Sequence, residues 1–177
     1  MKATGIVRRI DDLGRIVIPK EIRRILRIRN GESLEIYIDQ PELIVLKKFS
    51  PMSKLEDFAK EYVDSIYSMV KHNIFITDRD KIIAVAGSLK KKYLGKEISK
   101  YLETAIARRE NFVERHKKKI KLIENLEEEG NYALSSIISN GDCIGLVIIL
   151  SEERDLTELE EKTTQIAAQF LGKYIED

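Results

Sequence analysis

Apolar and polar positions follow two different rhythms along this chain, and the change near residue 50 divides it. Before that point the apolar runs are short and β-branched. Ile6 to Ile10 and Arg15 to Ile18 flank Asp11-Asp12-Leu13-Gly14, a turn in which Gly14 supplies a positive φ. The pattern predicts a hairpin. Pro19 suits the first position of a helix, and Ile22, Ile25 and Leu26 recur at helical spacing to about Ile28, leaving Arg23, Arg24 and Arg27 on the opposite face. Asn30-Gly31 stops that helix, Leu34 to Ile38 alternates, and a Gln40-Pro41 turn leads into Leu43 to Phe49. The predicted order is β, β, short helix, β, β. So small a unit buries little core alone, which predicts an obligate dimer.

Ser50-Pro51-Met52-Ser53 has linker composition, and the rhythm then becomes helical. Leu55, Phe58, Tyr62, Ile66 and Met69 form one apolar stripe, and Leu156, Leu159, Thr163, Ile166 and Phe170 repeat its spacing near the far end. The two helices are expected to pack together. Between them, Asn73 to Thr77 and Ile82 to Ala86 are joined by Asp78-Arg79-Asp80, and Tyr132 to Ser139 and Cys143 to Leu150 are joined around Asn140-Gly141, a strong hairpin signal. The stretch from Leu89 to Gly130 reads as a helix over roughly Ile98 to Arg109 followed by a charged connection. The second domain is therefore an antiparallel sheet with flanking helices, of α+β type.

Charge sharpens the division. Residues 1–50 carry eleven basic and seven acidic side chains, whereas the other 127 carry twenty basic and twenty-three acidic. A basic head on an acidic body, in a chain of net charge +1, is a signal for an anionic partner. No apolar stretch approaches the length of a membrane span, and the first residues lack the apolar core of a secretory signal, so a cytoplasmic protein is expected. The single cysteine, Cys143, excludes an intramolecular disulfide, and with only His72 and His116 besides, neither a metal nor a cofactor is expected.

Thr4 to Pro19, then Glu21-Ile22-Arg23-Arg24, Leu34-Glu35-Ile36-Tyr37 and Leu46-Lys47-Lys48-Phe49, closely resemble the AbrB-type swapped-hairpin DNA-binding domain of bacterial transition-state regulators. The part from Lys54 onward, including Asp78 to Gly87 and Asn140 to Gly145, resembles the GAF domain of the stage V sporulation protein T family. Together these cover essentially the whole chain. The resemblance implies an α+β fold: an interleaved (swapped-hairpin) β-barrel dimer over residues 1–50, a linker at 51–54, and a GAF-like antiparallel sheet with flanking helices over 55–177. It implies a transcriptional regulator, activator or repressor, of forespore gene expression during sporulation, dimeric through the N-terminal domain and tetrameric through the GAF domains. It further implies that Arg8, Arg15, Arg23 and Arg24 contact double-stranded DNA.

Arginine suits that task because its fork bridges two phosphate oxygens or pairs with guanine in the major groove. Arg9 and Lys2 are weaker candidates on the same face, and Arg27 and Arg29 serve equally well as surface charge or packing stems. No recognition helix of helix-turn-helix length is visible, so readout through DNA shape, tolerant of sequence, is expected. In the second domain Arg115-His116-Lys117-Lys118-Lys119-Ile120-Lys121 precedes an acidic run, Glu124 to Glu129. It reads first as a solvated loop or helix face, with a lid over an anionic ligand or an extra DNA contact as alternatives. Tyr67, Phe75, Phe112 and Tyr132 read as core or as the lining of a pocket for an unidentified small-molecule ligand. Cys143, beside an apolar run and with no resolving partner, reads as buried filler. The chain shows no phosphate loop, serine nucleophile motif or acid/histidine pair, so enzymatic activity is not expected. The competing reading is an antitoxin-like protein-binding module with incidental DNA binding, which requires a disordered acidic tail where residues 54–177 look folded.

Overall fold

The computed structural model describes residues 5–176, and the side chains of that span except those at positions 40, 53 and 54. Its contacts divide the chain between Phe49 and Ser50.

The first unit contains helix α1 (Lys20–Ile25) and an antiparallel pair, β1 (Leu34–Gln40) and β2 (Leu43–Lys48), in register from Leu34 opposite Lys48 to Ile38 opposite Ile44. The Asp11–Gly14 turn forms as expected. Gly14 N donates to Asp11 O at 2.9 Å, Asp11 N donates to Arg15 O at 3.0 Å, and Gly14 adopts a φ of +75°. The two arms of that turn, however, join no sheet among the described residues, so the predicted hairpin ladder is absent from the single chain. The reason lies in burial. Val7 is 87% exposed and Ile38 82% exposed, with Ile10, Leu13, Ile16, Val17, Ile36 and Ile44 also open, and Pro19 is the one residue classed as buried among those described in this unit. Helix α1 also ends earlier than its apolar spacing suggests. Arg27 takes a left-handed conformation, φ +52°, and Ile28 N reaches back to Arg23 O at 2.7 Å, which closes the last turn.

The second unit begins with a 3-10 turn, Pro51–Leu55, where a linker was expected. Met52 is completely buried and Leu55 nearly so, which makes this segment part of the unit's interior rather than a connection. Then follow α2 (Glu56–Val70), β3 (Asn73–Thr77), β4 (Ile82–Ala86), α3 (Lys90–Tyr93), α4 (Lys100–Arg108), β5 (Asn111–Ile123), β6 (Leu126–Ser139), β7 (Asp142–Ser151) and α5 (Glu158–Glu176). The strands form one antiparallel sheet in the order β4-β3-β7-β6-β5. Along β7, Val147 and Ile149 face a layer that includes Val63, Ile66, Val70, Ala167 and Leu171 of α2 and α5. Its alternate residues, Leu146, Ile148 and Leu150, face a second layer with Tyr93, Leu102 and Ile106. Covering both faces explains why the segment reads as a continuous apolar run.

Two sequence expectations change here. The basic stretch 115–121 is neither loop nor helix but the middle of strand β5, which pairs with the acidic start of β6, Lys119 opposite Glu129 and Ile120 opposite Glu128. A bulge between Glu114 and Lys118 interrupts this pairing and roughens the sheet edge, a feature that discourages edge-to-edge association. Helix α5 also turns a different face inward. It buries Glu160, Thr164, Ala167, Ala168, Leu171 and Gly172, while Leu159, Ile166 and Phe170 of the expected stripe stay exposed. The two helices do meet, through aromatic rings: Phe58 and Tyr174 stack at 4.8 Å, and Tyr62 and Phe170 lie 5.4 Å apart.

Small residues set this choice of face. A Cβ on Gly172 would collide with the carbonyl group of Ile138 on β6, so glycine lets α5 lie directly on the sheet. Replacing Gly172→Ala is therefore expected to cost about 2–3 kcal/mol, measured as a fall in the urea midpoint at unchanged slope. An unchanged midpoint would show that α5 lifts from β6 at no cost.

Candidate nucleic-acid interface

The expected DNA-contacting residues fall in three local settings. Arg8 and Arg9 lie exposed on the first arm of the Asp11–Gly14 turn, and Arg15 begins the second arm. The Asp11 carboxylate organises that turn by accepting from Leu13 N at 3.0 Å, Arg15 N at 2.8 Å and Arg15 Nε at 2.7 Å. The backbone N–H and then the guanidinium of Arg15 hold the Asp11 carboxyl below its usual range. Arg15 is thus presented to solvent with its backbone and its side chain fixed by one acid.

Arg23 and Arg24 sit side by side on α1 but differ in freedom. Arg24 is exposed, whereas Arg23 is half-buried, donating from a guanidinium nitrogen to Asn30 Oδ1 at 2.7 Å, with its Nε buried and without a hydrogen-bond partner. Asn30 reads in the sequence only as a helix stop. Its second task, holding an arginine seven residues earlier, has no signature in local spacing. Arg29 pairs with Glu32 at 3.1 Å, Glu32 lies 3.3 Å from Lys48, and Lys48 donates to Arg27 O at 2.9 Å. Burial pushes the Glu32 carboxyl up, but the backbone N–H and guanidinium of Arg29, with Lys48, outweigh it and hold the acid low. Arg29 and Lys48 therefore brace the loop before β1. Lys2 lies outside the described residues.

The basic run of the second unit has a different character, because acids on its own strand, across the hairpin and on α5 meet it. Arg115 pairs with Glu161 at 2.7 Å, Lys118 with Glu114 at 3.3 Å, and Glu127 receives Lys119 at 3.5 Å and Lys121 at 3.4 Å. Lys92 and the Tyr93 hydroxyl both reach Glu128 at 2.5 Å, and burial followed by that carboxylate drives the Tyr93 phenol far above its usual range. Among the described residues, these cations are matched locally, unlike Arg8, Arg9 and Arg24.

Of the four aromatic residues considered for a pocket, Phe75 is buried edge-to-face against Tyr93 at 5.6 Å, and Tyr132 is buried against Phe112 at 5.5 Å. Both are core. Two adjoining clefts lie instead beside α5. One of about 260 Å³ is lined by Asn111, Arg115, Ser135, Glu161 and Gln165 among others, and one of about 320 Å³ by Asn111, Ser136, Ile138, Gln165, Gln169 and Lys173 among others. Phe112 alone of the four aromatics lines either cleft. Cys143 is buried, its thiol donating to Gly145 O at 3.4 Å. Among the described residues, no cluster of three His, Cys, Asp or Glu is placed to hold a metal, and no helix is long and apolar enough to cross a membrane.

The Asp11 arrangement makes a pH prediction. Because its folded-state pKa is depressed, the stabilisation of the turn is present above the unfolded value and is lost as pH falls through the folded one. The Asp11 carboxyl carbon is expected to titrate by NMR below the ordinary aspartate range and to move part of the way back in Arg15→Ala, whose backbone N–H remains. Titration at the ordinary value would mean that the turn is not held by this acid.

Residues 54–176 match the family described as stage V sporulation protein T C-terminal, transcription factor, and residues 7–53 match the family described as antidote-toxin recognition MazE, bacterial antitoxin. The stage V sporulation protein T of Bacillus subtilis is 51% identical over 177 residues, covering 99% of each chain. The transition state regulatory protein AbrB of Bacillus subtilis is 59% identical over 51 residues, which cover 29% of this chain and 52% of that protein. In fold, the GAF domain of an Acinetobacter phosphoenolpyruvate-protein phosphotransferase superposes with a TM-score of 0.57 at 15% identity, covering 86% of this chain and 89% of that one.

Proposed function

The chain belongs to the stage V sporulation protein T family of transcription factors, and from that premise we propose that its first unit, doubled by a second copy, binds double-stranded DNA through Arg8, Arg15, Arg23 and Arg24 to regulate forespore transcription. The observation that carries this reading is the coexistence, in one small unit, of unmatched exposed arginines and an apolar lining that the single chain leaves open. A second copy supplies the missing interior through interleaved strands, and its two-fold axis turns four arginine positions into a symmetric cationic surface. Arg24 is the mobile contact of this face, while Arg15, held by Asp11, and Arg23, braced by Asn30, are fixed ones.

A dimer of dimers follows from the second unit on the same reading. Leu159, Ile166, Phe170 and Tyr174 of α5 and Met69 of α2 form an exposed apolar surface on helices that already meet through aromatic rings, and a second copy is the occupant whose surface matches it by symmetry. Such an assembly places two DNA-binding dimers on one particle and raises avidity for paired sites. The match of residues 7–53 to an antitoxin family supports the competing protein-binding reading. The region that would have to act as a tail is instead the sheet-and-helix unit beginning at Ser50.

Neutralising roughly six phosphates gives a slope of log affinity against log salt of about −5. Fluorescence anisotropy with an AT-rich duplex is expected to show that slope for the native chain. For Arg15→Ala/Arg24→Ala the slope should be shallower by about two, with affinity lower by at least about tenfold at low salt. Equal binding by both folded proteins would reject these arginines as the DNA face. Separately, Ile166→Glu/Phe170→Glu is expected to halve the sedimentation mass from tetramer to dimer, with affinity for a single short site retained. An unaltered mass would place the second assembly contact elsewhere.

A further inference from the structure

Two charges of opposite sign sit together at an exposed turn of the first unit. The Asp11 carboxylate accepts through Oδ1 from Leu13 N at 3.0 Å and Arg15 N at 2.8 Å, and through Oδ2 from Arg15 Nε at 2.7 Å. The backbone frames both residues, since Asp11 N donates to Arg15 O at 3.0 Å and Gly14 N donates to Asp11 O at 2.9 Å. The pair is nevertheless open to solvent, with the Arg15 side chain 72% exposed and that of Asp11 43%. So exposed an ion pair contributes little to stability by itself. An acid is also the wrong charge for a surface that meets phosphates. Asp12, its exposed neighbour, carries the same charge and makes none of these bonds.

The bonds leave a particular set of groups free. Arg15 commits Nε to Asp11, so its two terminal nitrogens remain as a fork of donors whose place is set by the carboxylate. Asp11 has filled three of its roughly four acceptor positions and keeps one. The pair therefore presents a donor fork and an acceptor side by side. In the major groove a G·C base pair offers the complementary series, with the N7 and O6 acceptors of guanine followed by the N4 amino donor of cytosine. An A·T pair offers acceptor, donor and acceptor, which sets a donor against one arm of the fork. A phosphate could take the fork as well, but it would meet the Asp11 charge beside it, whereas a base edge carries no net charge.

We propose that Asp11 and Arg15 form one base-reading pair that selects a G·C base pair in the major groove. The Arg15 fork donates to guanine O6 and N7, and Asp11 is the positioning residue that aims the fork and accepts from cytosine N4. This rests on the DNA-binding reading above and deepens it, because it adds a sequence preference at one position to a face that otherwise follows the backbone and the groove shape. Two-fold symmetry repeats the pair, so each half-site carries the preference.

The test uses the full-length chain, a selection from a randomised duplex library, and fluorescence anisotropy on the selected duplex. The native chain is expected to enrich one G·C position in each half-site. Replacing that guanine by 7-deazaguanine, which lacks the N7 acceptor, should lower affinity about tenfold. Arg15→Lys keeps the charge but not the fork, and Asp11→Asn keeps a side-chain oxygen for the two backbone N–H groups but not the bond to Nε. In both variants the enrichment is expected to disappear, and 7-deazaguanine to cost less than about twofold. Asp12→Asn removes the same charge from the same turn and is expected to keep both effects. The proposal is overturned if the G·C preference survives in Asp11→Asn, or if Asp12→Asn abolishes it equally. Should Asp11→Asn fail to fold, a preference retained in Arg15→Lys has the same force. Steep, salt-dependent binding with no G·C position enriched, or with 7-deazaguanine tolerated, removes the base-reading pair and leaves the DNA-binding reading standing. A native chain that binds no duplex removes both.

Discussion

Burial of strand β7 on both faces is the constraint from which the second unit follows. A strand with Leu146, Ile148 and Leu150 on one side and Val147 and Ile149 on the other needs two apolar layers, and the chain supplies them with α2 and α5 on one face and α4 with its loop on the other. Close approach completes the arrangement, since Gly145 lets β7 touch β3 and Gly172 lets α5 touch β6. Even the buried charge serves this packing. Glu160, at the start of α5, accepts from the backbone N–H and hydroxyl of Thr157, lies 3.3 Å from Arg154 and 3.4 Å from buried His72, and so fastens α5 to the end of α2. Burial works against its ionisation, but the Thr157 bonds outweigh that and hold its carboxyl low.

The first unit is the opposite physical case. It has good local order, with a turn fixed by Asp11, a short helix and a two-stranded pair, but hardly an interior. Its surface-to-volume ratio leaves the apolar side chains on view, so on the proposed reading stability and function are joined at the level of the assembly rather than the chain. The proposed dimer resolves both at once, because the contact that buries the apolar lining also fixes the spacing of the cationic surface.

The elements with strong local signals were legible. The strands at 73–77 and 82–86, the Asn140-Gly141 hairpin and the helix α2 stand where their patterns put them, and α4 falls within a residue or two of its expected span. Strand β5 was not, because only Ile120 and Leu122 mark its buried side and charged or polar residues fill most of positions 114–121. Its charges look like a solvated run until the fold brings Glu114, Glu127 and Glu161 beside them. Among the arginines, the sequence named the residues but not their different freedom, since Arg23 is set apart from Arg24 by an asparagine outside the helix.

The sequence by itself determined the division near residue 50, the basic head, the α+β character and the family resemblance, because each is written in composition, short-range periodicity or residue identity. Tertiary structure alone decided which stripe of α5 turns inward, which cations are matched by acids, and that residues 51–54 belong to a packed interior. Periodicity shows that a helix has an apolar side, but the side that is buried depends on how closely a backbone can approach, and the small residues Ala167, Ala168 and Gly172 win that competition over the larger Ile166 and Phe170. Charge compensation likewise acts through space, between residues as far apart as Arg115 and Glu161, where spacing along the chain carries no information.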